Sequence, residues 1–263
     1  ILLLGGDTKE AAHLFDKLQQ NFCKQQEYGG KKYFCTLSAG YAAYPEDGGN
    51  YLELFKRANY SLEYSKIMGK NRMTVFSGNI LADRERRLEL MELLRESVER
   101  GFAGFSIHYQ PQVDTVSGRL CGAEALARWH CGKYGDVSPG EFIPLMEQSG
   151  LIVPFGQWIL SHGMAQCLEW CRSRPDFQIS VNLSYLQLSQ GDFISFLRTA
   201  LEENSLDPSR LIMELTETYL AKAEEDTLRL IAQMKELGVK IAMDDFGVGY
   251  SSLFSLKSIP VDV

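Results

Sequence analysis

The chain has 263 residues, 45% hydrophobic and 23% charged, and its 27 Lys and Arg against 34 Asp and Glu give a net charge of −7. Those are globular values, which exclude a disordered or fibrous chain. The acidic balance argues against a binder of nucleic-acid polymers or anionic membranes, which needs surplus Lys and Arg to neutralise phosphates.

Residues 1–4, Ile-Leu-Leu-Leu, read as the end of a buried strand. A helix follows, capped by Asp7 or Thr8, with Ala11, Leu14, Phe15, Leu18 and Phe22 on one face. Aromatic and small residues then give strand character up to the turn at Pro45–Gly49. The spacing predicts a helix from Tyr51 to Met68 that buries Leu52, Phe55, Ala58, Leu62 and Ser65; Gly69 stops it, and residues 71–77 form a last strand. This first domain, 1–79, is an α+β unit. Residues 80–100 read as a charged connecting helix with Leu88, Met91, Leu94 and Val98 in one stripe.

From 101 to 263 strands and helices alternate, the pattern of a parallel sheet or barrel. Strands fall at 105–113, 120–129, 178–184, 211–217 and 240–245, with amphipathic stretches at 141–172, 190–203 and 223–237. The six cysteines, at 23, 35, 121, 131, 167 and 171, form no Cys-x-x-Cys pair. They read as reduced, mostly buried thiols of a cytoplasmic protein, Cys167 and Cys171 sharing a helix face. His13, His108, His130 and His162 lack ligand spacing, so zinc is not expected. No apolar run reaches the ~18 residues of a membrane span. The chain opens on Ile1 and stops at Val263 inside apolar runs, so both ends read as cuts in a longer polypeptide, whose upstream segments could carry a membrane anchor.

The polar groups at strand ends carry the chemistry. Strand interiors are apolar, yet Glu124, Asn182, Glu214 with Glu217, and Asp244 with Asp245 stand at or near C-terminal ends. From Asn182 to Glu214 to Asp244 each step is one βα unit of ~30 residues. In a parallel barrel all these ends open on one face, where active sites are built. Any one of these acids is as well explained by a helix cap or a surface loop; their recurrence on successive strands is not. Carboxylates gathered in a dry pocket repel one another, and a divalent cation resolves the conflict. Oxygen ligands without His or Cys select Mg²⁺ or Mn²⁺. Two such ions suit phosphodiester hydrolysis.

The motifs Tyr109-Gln-Pro111, Glu124-Ala-Leu-Ala-Arg128, residues 142–152 (FIPLMEQSGLI), Val181-Asn-Leu-Ser184, Glu214-Leu-Thr-Glu-Thr218 and residues 244–253 (DDFGVGYSSL) together resemble the EAL family. Its members are phosphodiesterases of the bacterial second messenger cyclic di-GMP. The resemblance implies a modified TIM (β/α) barrel whose first strand runs antiparallel to the rest, and linearisation of cyclic di-GMP to pGpG. Glu124, Asn182, Glu214 and Asp244 would be ligands of one metal, and Asp245 would hold the second. Glu217 would anchor the loop 245–252, with Gly247 and Gly249 as hinges, and the family implies a homodimer contact there. Gln110, Leu126 and Arg128 would touch substrate, Arg128 through a phosphate; a structural ion pair inside the barrel is the other reading of that arginine. The departures are Tyr185-Leu186, where the family more often has Ala-Arg, and Val248 in place of Thr. A conserved Lys and the general-base Glu of the family would lie beyond Val263. The barrel is therefore expected to be partial, about five of eight strands, and inactive in this piece.

Residues 38–48 (SAGYAAYPEDG) and 58–76 resemble the C-terminal half of a GGDEF domain, the diguanylate cyclase module. Gly5-Gly-Asp7 is not its signature, which would precede Ile1. Lys66 and Lys70 match positions that contact GTP phosphates, and equally suit the C-terminus of a helix. The leading expectation is a cyclic di-GMP phosphodiesterase. A non-catalytic cyclic di-GMP receptor and a protein acting mainly as a cyclase are the alternatives.

Overall fold

The computed structural model describes residues 5–24, 26–189, 192–220, 225–245, 247 and 261–262, and the chain divides into two units, Ile1–Glu89 and Leu90–Val263. The expected strand at 1–4 and the loop positions Val248 and Gly249 lie outside the described residues.

In the first unit, helix α1 (Thr8–Phe22) is capped by Asp7, whose carboxylate accepts the Glu10 amide at 2.9 Å. Strands β1 (Gln26–Tyr28) and β2 (Lys31–Tyr33) form an antiparallel hairpin. Strand β3 (Ala39–Tyr41) pairs in parallel with β4 (Met73–Val75), and between them runs α2 (Tyr51–Ile67), capped by Asn50. Helix α2 lies so close on β3 that a Cβ on Gly40 would stand 2.0 Å from the Ala58 carbonyl oxygen. Only small residues fit there, so α2 buries Ser61 and Ser65, and the Ser65 hydroxyl donates to the Ala39 carbonyl at 2.8 Å. The predicted burial of Leu52 and Phe55 is thus corrected: both are exposed, as is Phe22. A helix of this length extends about 25 Å and three-residue strands about 10 Å, so the first turns of α2 overhang the sheet.

Helix α3 (Gly78–Glu99) carries the chain into the second unit. Three of the four predicted stripe residues hold, Leu94 in the core with Met91 and Val98 packed against it. Leu88 is exposed, whereas Leu90 and Leu94 are fully buried in the second core. There β5 (Phe105–Val113), β6 (Leu120–Cys131), β8 (Gln178–Asn182), β9 (Leu211–Thr216) and β10 (Lys240–Asp244) form a sheet in the order β10-β9-β8-β6-β5. A short β7 (Gly135–Val137), not read from the sequence, folds back on the end of β6. Strand β5 is antiparallel to β6, while β8, β9 and β10 run parallel with it, as the resemblance implied.

The amphipathic stretch 141–172 is two helices, α4 (Pro139–Ser149) and α5 (Ile152–Cys171), broken where Gly150 adopts φ +75°. The remaining helices are α6 (Tyr185–Ser189), α7 (Phe193–Asn204), α8 (Glu217–Leu220) and α9 (Glu225–Glu236). Alternation along the strands divides the sheet into two faces. Ala123, Ala125, Ile179, Val181, Met213, Leu215 and Ile241 join the core with residues of α4, α5, α7 and α9. Gly163 brings α5 onto this face, within van der Waals reach of Val181 and Ile179. The intervening residues point to the opposite face, where the predicted site residues lie.

The expectation of mostly buried cysteines is corrected as well: Cys23, Cys35 and Cys121 are exposed, Cys131 and Cys167 buried. Cys167 and Cys171 do share a face of α5, their sulfurs 4.0 Å apart. Burial, then the neighbouring Cys171, pushes the Cys167 thiol up to about 12, so it stays protonated.

Candidate functional site

Register sets where each polar group falls. Glu124 pairs with Ser180, Asn182 with Glu214, and Asp244 with Thr216, so the candidates climb along the strands as one crosses the sheet. That diagonal is the stagger expected of tilted barrel strands. Asn182 and Asp244 end their strands as predicted. Glu124 instead sits mid-strand, because β6 runs on past β8 to pair with β5 and β7.

Asn182 and Glu214 both reach Glu124. The Asn182 amide nitrogen donates to Glu124 Oε1 at 2.7 Å. The Glu214 carboxyl is pushed up to about 7, first by burial, then by the negative charge of Glu124; a hydrogen bond from Ser180 opposes the rise, and Asp244 adds to it. Asp244 Oδ1 accepts the amide of Asp245, a residue held at φ +56°, the left-handed region that Asp tolerates better than most side chains. Gly247 is also at positive φ (+90°), and its amide donates to Glu217 Oε2 at 2.6 Å. Glu217 is buried.

Gln110, Leu126 and Arg128 lie on the same face by alternation, Gln110 directly opposite Glu124. Arg128 stands about 13 Å further along β6 than Glu124, and its Nη1 donates to the neighbouring Ala127 carbonyl at 2.8 Å rather than to a carboxylate. Asp245 is exposed and turns away from the strand direction.

Sequence reasoning passed over two supports. Ser180 is almost fully buried and exchanges hydrogen bonds with Gln112 while touching Glu214. Its signal was available: a hydroxyl two residues before Asn182 in an apolar strand shares that residue's face. The second is Glu147 of α4, which accepts the Ser184 hydroxyl at 2.6 Å, while Gln187 accepts the Ser184 amide at 2.9 Å. Together they pin the chain just beyond Asn182.

Among the described residues no three His, Cys, Asp or Glu side chains are close enough to hold an ion as they stand. The donor set nevertheless fits one. All the candidate ligands are oxygens, which suits a hard divalent cation. Beyond burial, two neighbouring carboxylates raise Glu214, and among the described residues no Lys or Arg acts on it. A site with an excess of carboxylate charge and no basic partner is one that a cation completes.

The family described as EAL domain matches residues 91–263. The bifunctional diguanylate cyclase/cyclic di-GMP phosphodiesterase MucR of Pseudomonas aeruginosa is 35% identical over 261 residues, 99% of this chain and 38% of its own length. The cyclic di-GMP phosphodiesterase PdeR of Escherichia coli is 32% identical over 229 residues, 87% of this chain and 34% of its own. The chain thus spans little more than a third of these relatives. Among solved structures, the PaMucR phosphodiesterase in complex with c-di-GMP superposes with a TM-score of 0.62 at 40% identity, covering 66% of this chain and 70% of that one. The EAL enzyme Bd1971, in its cAMP and cyclic-di-GMP bound form, gives 0.62 at 28% identity, covering 68% of this chain and 50% of that one.

Proposed function

The chain belongs to the EAL domain family over residues 91–263, and from that premise we propose that the full-length protein containing it hydrolyses cyclic di-GMP to linear pGpG with Mg²⁺ or Mn²⁺. One observation carries the reading: Glu124, Asn182, Glu214 and Asp244 gather on one sheet face, with the Glu214 carboxyl pushed up to about 7, first by burial and then by its acidic neighbours. The related PaMucR phosphodiesterase, solved with c-di-GMP, supports the choice of substrate.

Glu124, Asn182, Glu214 and Asp244 would hold one ion and Asp245 the second. When bound, such ions polarise a phosphoryl oxygen and acidify a water. The chain's own residues do the rest. Asn182 holds Glu124 through its amide, and Ser180 favours the ionised form of Glu214. Glu217 ties down Gly247 and with it the turn that carries Asp244 and Asp245. Gln110, Leu126 and Arg128 border the same face, where the Arg128 fork matches the oxygens of a phosphate.

We extend the proposal to the first unit, with residues 1–79 the C-terminal part of a GGDEF domain, 80–100 the connector and 101–263 the EAL domain. The match to MucR, named in part as a diguanylate cyclase, runs over 99% of this chain and supports that division. GTP would be the ligand there, with Lys66 and Lys70 facing its phosphates. A homodimer through the EAL domain and a cytoplasmic setting complete the proposal; among the described residues no helix is long and apolar enough to cross a membrane.

The test is conversion of cyclic di-GMP to pGpG by the full-length protein, followed by chromatography with Mg²⁺ or Mn²⁺. Glu124→Ala removes a ligand and is expected to abolish turnover. Activity within tenfold of wild type, a loss below ~1.4 kcal/mol, would show the metal assignment to be wrong. Binding without product would mark a receptor.

A further inference from the structure

Two aromatic rings follow the ends of the strands that carry Asn182 and Glu214, and neither belongs to the machinery described above. Tyr185 opens α6, three residues beyond Asn182, and Tyr219 lies in α8, two residues beyond Glu217. Their ring centroids are 5.1 Å apart at an interplanar angle of 44°. They bridge the turns that follow two adjacent parallel strands, β8 and β9. The two rings are not equivalent. Tyr219 is half-buried, and its hydroxyl lies 3.2 Å from the hydroxyl of the buried Thr227, which fixes the ring. Tyr185 leans on it and remains 52% exposed.

The core does not require this exposed ring. The buried contacts of α6 are made by Gln187 and Leu188, and the preceding turn is pinned by Glu147 and Gln187 through Ser184. An aromatic side chain needs only two torsions fixed to present a large flat surface. Tyr219 and the pinned turn restrict those torsions before any ligand arrives, which lowers the ordering cost of binding. A flat ring held just past the strand end that carries Asn182 suits the π-face of a nucleobase, because stacking accepts any base and needs no hydrogen-bond match.

Resting on the reading above of a cyclic dinucleotide substrate, we propose that Tyr185 is a stacking platform for one purine base of that substrate, with Tyr219 as its backstop. Tyr185 then sets affinity for the base-bearing ligand and leaves the phosphodiester chemistry untouched.

The test compares wild type, Tyr185→Ala and Tyr185→Phe, each in the full-length protein. Affinity for cyclic di-GMP is measured by titration calorimetry in EDTA and in Mn²⁺, and cleavage of the base-free diester bis(p-nitrophenyl) phosphate is followed alongside. Stacking on one base gives about a tenfold weaker affinity in Tyr185→Ala, near wild-type affinity in Tyr185→Phe, and the same rate on the base-free diester in all three. Unchanged affinity in Tyr185→Ala, while the wild type binds the dinucleotide, overturns the platform and leaves the phosphodiesterase reading standing. Equal weakening in both variants overturns it too, since the hydroxyl rather than the ring would then be the contact. A change of oligomeric state in Tyr185→Ala without a change in affinity assigns the ring pair to a contact between copies and refutes the proposal. A wild type that neither binds nor cleaves cyclic di-GMP removes both readings.

Discussion

Replacing Glu214 by Gln tests whether the site carries more negative charge than the protein alone can balance. The carboxyl, near 4.5 in an unfolded chain, stands at about 7 in the folded one, raised by burial and then by Glu124 and Asp244. Between those values the folded chain keeps a proton that the unfolded chain has lost, so stability falls as pH rises and the full penalty is present above pH 7. Fully transmitted, a shift from 4.5 to about 7 would be worth about 3 kcal/mol. Glu214 is only half-buried, and screening by water reduces this to about 1–2 kcal/mol. Gln has nearly the same shape and no charge. At pH 8 in EDTA, Glu214→Gln is therefore expected to melt above wild type, by roughly 2–4 °C for each kcal/mol, and near pH 5 the two should coincide. Trp129, Trp158 and Trp170 all belong to the second unit, so tryptophan fluorescence reports its melting. Saturating Mn²⁺ reverses the order, because wild type gains about 2.7 kcal/mol at a hundredfold excess over Kd and the variant lacks a ligand. A variant less stable than wild type in EDTA at pH 8, or a difference that does not vary with pH, would refute the reasoning.

Two further substitutions probe the supports of the site. Glu217→Ala removes the buried acceptor of the Gly247 amide, a charge-assisted bond of about 1.5–3 kcal/mol. Turnover should fall at least tenfold while Mn²⁺ affinity, measured by calorimetry, changes far less; equal losses in both would make Glu217 a ligand rather than an anchor. Gly156→Ala would place its Cβ 1.6 Å from the amide nitrogen of buried Gln187, the residue that pins Ser184. It should cost about 1–3 kcal/mol in a denaturant titration. Gly140→Ala, which meets nothing within 4 Å, should be close to neutral, and similar costs at the two positions would argue against this packing.

The strands of the second unit were legible because their residues alternate between an apolar and a polar face. Ile179 and Val181 against Ser180 and Asn182, or Met213 and Leu215 against Glu214 and Thr216, fix both the strand and the face. What escaped the sequence depends on distances between elements. Leu52 and Phe55 have core-like spacing, yet the close approach of α2 at Gly40 turns Ser61 and Ser65 inward instead. Leu88 and Leu90 both suit a helical stripe, and only the packing of α3 decides between them. Strand β7 is three residues long, and its pairing with the end of β6 leaves no periodic trace. At the site the acids were visible, but Glu147 and Gln187 were not. Their work is to grip the Ser184 turn, a contact between elements that no spacing along the chain announces.

The most direct test of the account is a crystal of the protein soaked in Mn²⁺ and measured for anomalous scattering. The account predicts a peak on the polar face of the sheet with oxygens of Glu124, Asn182, Glu214 and Asp244 at bonding distance. A peak elsewhere, or none among these four side chains at saturating Mn²⁺, would contradict it.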